Sequence, residues 1–162
     1  MLTLLRLILS AAGVLVGLRL KLHFIQAAHM GILVPLLKYS GVAVKQLGEF
    51  TFTVRQLPIV ITSACTSIEV FLGLAPLLWR RSWGLLQGLI YLLGAGALFE
   101  LANILRLYLG LLFFAHGLSW SITHTIPSGV FYAIALYLSL RVGGWIKRDS
   151  ERYVSFALPD RK

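Results

Sequence analysis

The sequence predicts an all-α integral membrane protein, a single membrane domain over residues 1–162. It reads as about four transmembrane helices, an interfacial helix, and a short strand or hairpin on the outer face. Three observations carry this. Of the 162 residues, 58% are hydrophobic, and mean hydropathy is +0.83. Only 13% are charged, against roughly 25% in a soluble domain, so polar side chains are too few to cover a water-exposed surface. Three windows also match the roughly 20 apolar residues that a bilayer crossing needs. These features exclude an ordinary cytosolic enzyme and a disordered chain. The single cysteine excludes a disulfide-stapled secreted scaffold.

The elements follow in order. Residues 3–20 make one marginal span, with Arg6, Arg19 and Lys21 near its ends; long basic side chains snorkel from such positions. A signal peptide is the competing reading of this stretch. Residues 24–44 are apolar but interrupted by His29, Pro35 and Lys38. With the first segment spanning, this one reads as interfacial or re-entrant on the outer face. Within the outer region 42–57, residues 49–55 alternate polar and apolar side chains. That is the period of a strand, pairing as a hairpin with residues 42–45. Three further spans follow over 58–79, 83–105 and 118–140, and a charged tail covers 147–162.

Lys+Arg outnumber Asp+Glu by 15 to 6, a formal net charge of +9. In a soluble protein this would point to nucleic acid. Here no nucleic-acid partner is expected, because basic residues in short loops mark the cytoplasmic side. Arg80 and Arg81 link two spans, and Arg141, Lys147, Arg148 and Arg152 follow the last. These place the loop and the tail on the cytoplasmic side of the cell membrane. Arg19, Lys21, Lys38, Lys45 and Arg55 are then left outside, against the rule.

Ionisable residues within spans are costly and are candidate sites by default. The polar residues at such positions are Cys65, Glu69, Glu100, Asn103, Arg106, His116 and His124. This topology brings Cys65, Arg106 and His124 to a similar depth near the outer ends of three helices. A thiol becomes a nucleophile as the thiolate, which a nearby cation or a helix N-terminus favours. Cys65 is the candidate nucleophile, His124 the proton acceptor, and Arg106 the cation or oxyanion holder. Glu69, four residues after Cys65, shares its helical face in an unbroken helix. Glu100, Asn103 and Arg106 form one stripe. The plainer readings are packing ones: an inert buried thiol, a snorkelling arginine, and interhelical hydrogen bonds from Glu100 and Asn103. His116 and His29 read as capping or interfacial residues. Cys65 and Asn103 are the only cysteine and asparagine in the chain. No ligand spacing for a metal and no phosphate-binding loop is present, so no cofactor is expected. Gly94-Ala95-Gly96 reads as small-residue helix packing.

Ala64-Cys65-Thr66-Ser67 resembles the "A/E-C-[TS]-G" box of the exosortase/archaeosortase family, with Ser67 where the family commonly has glycine. Asn103-Ile104-Leu105-Arg106 resembles its "N-x-x-R" box, and His124, followed by Gly129 and an apolar run, resembles its third box. The resemblance covers roughly residues 41–140, and the chain looks like a compact member. It implies a membrane-embedded cysteine protease or transpeptidase with Cys65, Arg106 and His124 as catalytic residues and Asn103 orienting Arg106. The implied substrate is an exported protein bearing a C-terminal sorting motif, a hydrophobic helix and a basic tail. Such an enzyme cuts at the motif and passes the new C-terminus to water, an amine or a lipid acceptor. Glu69 and Glu100 are candidate contacts for a polar group of that substrate. The alternative from the residues alone is a non-enzymatic helical scaffold in the lipid bilayer; a small transporter would call for an internal repeat, and none is visible.

Overall fold

The structure, a computed structural model, describes residues 2–20, 22–80 and 82–145. The expected tail over 147–162, with Lys147, Arg148 and Arg152, and the expected flank residues Lys21 and Arg81 lie outside the described residues. The element order is α1 (Leu2–Arg19), α2 (His23–Tyr39), β1 (Lys45–Gly48), β2 (Thr51–Val54), β3 (Leu57–Val60), a 3₁₀ turn (Ser63–Thr66), α3 (Ile68–Leu78), α4 (Leu85–Ala115), a π-helical turn (Ser121–Thr125) and α5 (Ile126–Val142).

The protein is mostly helical. Among the described residues, two helical stretches are long and apolar enough to cross a membrane: α4, at 31 residues, and Ser121–Val142, at 22. The first two helices, bent by 73° at their junction, pass the same test only when taken together. Among the described residues there are thus two or three candidate crossing helices, and the expected four are not confirmed.

The expected span over 58–79 is not one helix. Its first residues belong to β3, the next to the 3₁₀ turn, and only the 11 residues of α3 are α-helical. Eleven residues reach about 16 Å, against the roughly 30 Å of a bilayer core. The cause is local. Pro58 has no N–H to give a helix, and the β-branched run Ile59–Thr62 favours extended backbone. Ser67 then takes φ 54, which interrupts the helical path before α3.

The expected strand is present and belongs to a larger unit. The three strands form an antiparallel sheet in the order β1-β2-β3. β2 alternates as its sequence does, with Phe52 and Val54 fully buried. Its hairpin partner starts at Lys45, opposite Thr53, a few residues later than the expected 42–45. Ile61 donates its N–H to Phe50 O at 2.8 Å. That phase aims the backbone N–H groups of Leu57, Ile59 and Ile61 at β2 and leaves the nitrogen of Pro58 on the free edge, where a proline costs no sheet bond. The β2–β3 turn places Arg55 at φ 53 and Gln56 at φ 64. Two residues of positive φ make the tight hairpin turn that usually takes Asn and Gly. Arg55 is anchored by its guanidinium, 5.5 Å over the Phe114 ring and donating to Phe114 O at 3.4 Å.

α4 runs on past Arg106, the expected end of its span, to Ala115. The apolar stretch after Arg106 carries no proline, its one glycine, Gly110, stays within the helix, and the chain turns only at Gly117. There φ is +108, Gly117 N–H reaches Phe114 O at 3.1 Å, and Leu118 N–H reaches Phe113 O at 3.2 Å. This pair of bonds is the glycine-closed helix end of the Schellman type. Gly41 closes α2 the same way, with its N–H on Lys38 O and that of Val42 on Leu37 O.

Beneath the sheet lies the densest core. Met30, Leu33, Val34 and Leu37 of α2, Phe52 and Val54 of β2, Ile61, and Leu107, Leu111 and Phe114 of α4 form one buried cluster. Elsewhere the helices show apolar faces outward, as at Leu86, Leu93 and Leu101 of α4. That distribution suits lipid rather than water as the surrounding medium. α1 meets α3 at glycines: a Cβ at Gly17 would collide with the backbone of Glu69, and one at Gly13 with Leu72 O. Of the Gly94-Ala95-Gly96 stretch, Gly96 lies against the Phe71 ring and Gly94 faces open space.

Two stability outcomes follow. Gly17→Val should lower the thermal unfolding midpoint in micelles, by an amount equivalent to about 2 kcal/mol, because neither backbone can withdraw. Gln56→Gly should raise it by roughly 1 kcal/mol, since the left-handed conformation no longer strains a Cβ.

Candidate active site

The site forms where the 3₁₀ turn, α4 and the start of α5 meet. Asn103 is its centre, with a fully buried side chain at 0% exposure. Its Nδ2 donates to Cys65 O at 2.8 Å. Its Oδ1 accepts from Arg106 Nη2 at 2.8 Å, Arg106 Nε at 3.2 Å and Ser67 Oγ at 3.2 Å. The helical offset of three residues is what lets Arg106 fold back on Asn103.

Neighbouring hydroxyls extend the network. Arg106 Nη1 donates to Ser128 Oγ, and Ser128 Oγ donates to His124 O at 2.5 Å. Ser67 Oγ, having given its proton to Asn103, accepts from Tyr132 OH at 2.8 Å. The guanidinium carbon stands 5.7 Å from the Phe131 ring centre and 5.8 Å from that of Tyr132. Aromatic faces of this kind attract a cation. Among the described residues no carboxylate pairs with Arg106. Its positive charge is therefore held in place but not neutralised, and it lies within electrostatic reach of both Cys65 and His124.

Cys65 is half-buried in the 3₁₀ turn, not in α3, and its Sγ lies 3.5 Å from Thr62 Oγ1. The backbone of Ser67, with φ 54, is in the left-handed region that favours glycine. This position is also where the resembled motif has its glycine. Because Ser67 breaks the path, Glu69 does not share a helical face with Cys65, contrary to the expectation from spacing. Glu69 is buried against Gly17 of α1 instead.

Asn103 therefore ties Cys65 and Arg106 together, and His124 joins through its carbonyl. The His124 ring is elsewhere occupied: it stacks on Trp120 with centroids 4.5 Å apart and planes at 9°. It lies in the π-helical turn just before Pro127, which has no N–H for a regular helical bond. His116 is the exposed C-cap of α4, in keeping with a capping role.

His29 departs from its expected interfacial role. It is 1% exposed, with Nε2 at 3.3 Å from Glu100 Oε2 and 3.5 Å from Asn103 Nδ2. Pro35 and the glycine end of α2 come after it, so this part of α2 stays helical and turns His29 inward. Glu100 directs its carboxylate at His29, behind the Cys65 turn. Sequence reasoning missed His29, Ser67, Ser128 and Tyr132. The first had a signal in the shared helical spacing of Gln26, His29, Met30, Leu33 and Leu37, all buried on one face of α2. Among the described residues no three metal-ligating side chains converge.

No protein family, curated protein or solved structure matches this chain.

Asn103 carries the local order, so Asn103→Ala should cost roughly 3 kcal/mol, measured as the shift in unfolding free energy in micelles. The change leaves a buried guanidinium and a buried carbonyl without their partner.

Proposed function

We propose that the chain is a membrane-embedded cysteine protease or transpeptidase of the exosortase/archaeosortase type. The observation that carries this reading is the Asn103 side chain, which links the carbonyl of Cys65 to the fork of Arg106. Residues of two separately recognised motifs thus share one hydrogen-bonded unit, and Ser128 attaches the third. The positive φ at Ser67 adds support, because it gives a physical reason for glycine at that motif position.

The Cys65 thiol gives its proton to His124, whose ring turns off Trp120, and Sγ bonds to the carbonyl carbon of the sorting motif. Arg106 holds the oxyanion that forms on the carbonyl oxygen. The carbon–nitrogen bond breaks as His124 returns the proton to the leaving amine. Water or an amine acceptor then attacks the thioester and releases Cys65. The substrate is an exported protein with a C-terminal motif, a hydrophobic helix and a basic tail.

In this reading α4 and α5 cross the cell membrane, α3 enters it part-way, and the bent α1–α2 pair completes the bundle. Arg80 and Arg141 face the cytoplasm. The sheet end, with Arg55 and the end of α4, is extracytoplasmic, and the site opens toward it.

Cys65→Ala, expressed beside a candidate sorting-signal protein, should leave that substrate full length on an immunoblot. Unchanged processing would remove Cys65 as nucleophile. Arg106→Lys should reduce the cleavage rate by roughly 100-fold, because an ammonium cannot make the fork onto Asn103 and keep a bond to Ser128.

A further inference from the structure

A second concave site lies at the C-terminal end of α3, remote from Cys65. α1 meets α3 antiparallel, with Gly17 against Glu69 and Gly13 against Leu72. That register carries Arg6 toward the end of α3. On its other side α3 meets α4, with Phe71 against Gly96 and Trp79 against Gly88. Between the flanking helices lies a cavity of about 550 Å³. Its floor is Ala75 and Pro76, whose short side chains leave the space open, and its walls are Leu9 of α1 and Leu92 of α4. Arg6 and Trp79 complete its lining.

The walls continue into exposed apolar side chains, Leu5 on α1 and Leu89 and Leu93 on α4. A groove set in such a surface meets hydrocarbon chains rather than water. Three of the four tryptophans, Trp79, Trp83 and Trp145, gather at this end. The Trp145 indole donates to Leu77 O at 3.2 Å, and the Arg80 guanidinium lies 5.5 Å over the Trp83 ring. Tryptophan at the ends of apolar helices marks the level of lipid headgroups.

The charge at this level is one-sided. Arg6 is half-buried, with its guanidinium carbon 5.5 Å over the Trp145 ring. An aromatic face holds a cation without using its N–H fork. Among the described residues no carboxylate pairs with Arg6. The described carboxylates lie elsewhere: Glu49 between β1 and β2, Glu69 in the first turn of α3, and Glu100 against His29. The exposed Arg80 and Arg141 add positive charge at the same end. The complement of a guanidinium beside an apolar groove is an anionic headgroup carried on an acyl chain. The planar fork matches a phosphate, and basic sites between membrane helices take acidic phospholipids.

We propose that the groove between α1, α3 and α4 is a binding site for one anionic phospholipid, with an acyl chain over Ala75 and Pro76 and the phosphate on Arg6. The site stands apart from the Cys65 cluster and does not need the peptidase reading.

The test places the full chain in phosphatidylcholine vesicles and adds phosphatidylglycerol brominated on its acyl chains, which quenches tryptophan on contact. Quenching should saturate at a mole fraction about fivefold lower than with brominated phosphatidylcholine, the effect of one arginine near a membrane surface. Trp79→Phe should remove most of the saturable phase. Arg6→Gln should bring the two lipids together, whereas Arg141→Gln, a cation outside the groove, should keep them apart. Ala75→Phe, which fills the floor, should abolish saturation, and inorganic phosphate should not compete. Equal curves for the two lipids on the wild-type chain leave only annular lipid and overturn the proposal. So does a preference that survives Arg6→Gln, or one that Arg141→Gln removes as fully. Saturation unaltered by Ala75→Phe places the lipid outside the groove, and displacement by phosphate removes lipid as the ligand. Should Ala75→Phe not fold, Arg6→Gln and Trp79→Phe still decide. A chain that shows the saturable quenching but leaves sorting-signal substrates uncut fails the peptidase reading and leaves this inference intact.

Discussion

One buried amide organises this molecule. Asn103 offers both of its chemically opposite ends to α4's surroundings: three donors converge on its oxygen, and its nitrogen gives to the Cys65 carbonyl. An uncompensated guanidinium inside an apolar bundle would be costly. Here it is tolerated because the amide oxygen, a serine hydroxyl and two aromatic faces surround it. The same contacts leave its charge available to an incoming anion. The arrangement is therefore at once a packing solution and a preorganised electrostatic site.

The scaffold around this centre divides into two environments. At one end, α2 and the tail of α4 bury a compact core beneath the sheet, clamped by Arg55 on Phe114. At the other, helices touch through glycines and show apolar faces outward. The turn that carries Cys65 is the joint between these parts: β3 leads into it, α3 leaves it, and Ser67 makes the bend. Strain at one backbone position is held there by hydrogen bonds to Asn103 and Tyr132. Holding strain at such a turn requires this over-determination.

Much of this was legible in the chain. Composition and window length identified the apolar helices, and the alternation around Phe52 identified the strand. The stripe of Glu100, Asn103 and Arg106 followed from helical spacing. The reading of 58–79 as one span failed because hydropathy does not distinguish a β-branched strand from a buried helix. Pro58 and the β-branched residues after it were the signal. His29 was assigned to the interface because a lone histidine is usually no more than that, and only the crossing of α2 over α4 brings it against Glu100. Ser128 and Tyr132 lie on a helix whose facing side no periodicity reveals. The topology of hydrogen bonds, donor by donor, becomes visible only when the helices are placed.

The matched lengths of α3 and the second half of α5 have a consequence for depth. Ser67, at the head of α3, is bonded to Tyr132, and Leu77, near its foot, accepts from the Trp145 indole at 3.2 Å. At the same foot, Arg80 Nε donates to Val142 O at 2.6 Å. The two helices thus act as parallel rulers, each about 15 Å long between the polar cluster and the arginine-marked end. With the arginine-marked end at one face of a hydrocarbon layer of roughly 30 Å, a cluster at that height would lie near the middle rather than at the expected outer ends. If the chain is the peptidase proposed above, a peptide bond arriving there would leave water well before it met the thiol. On the proposed reading, unwinding the substrate backbone and hydrating the site would then be one problem.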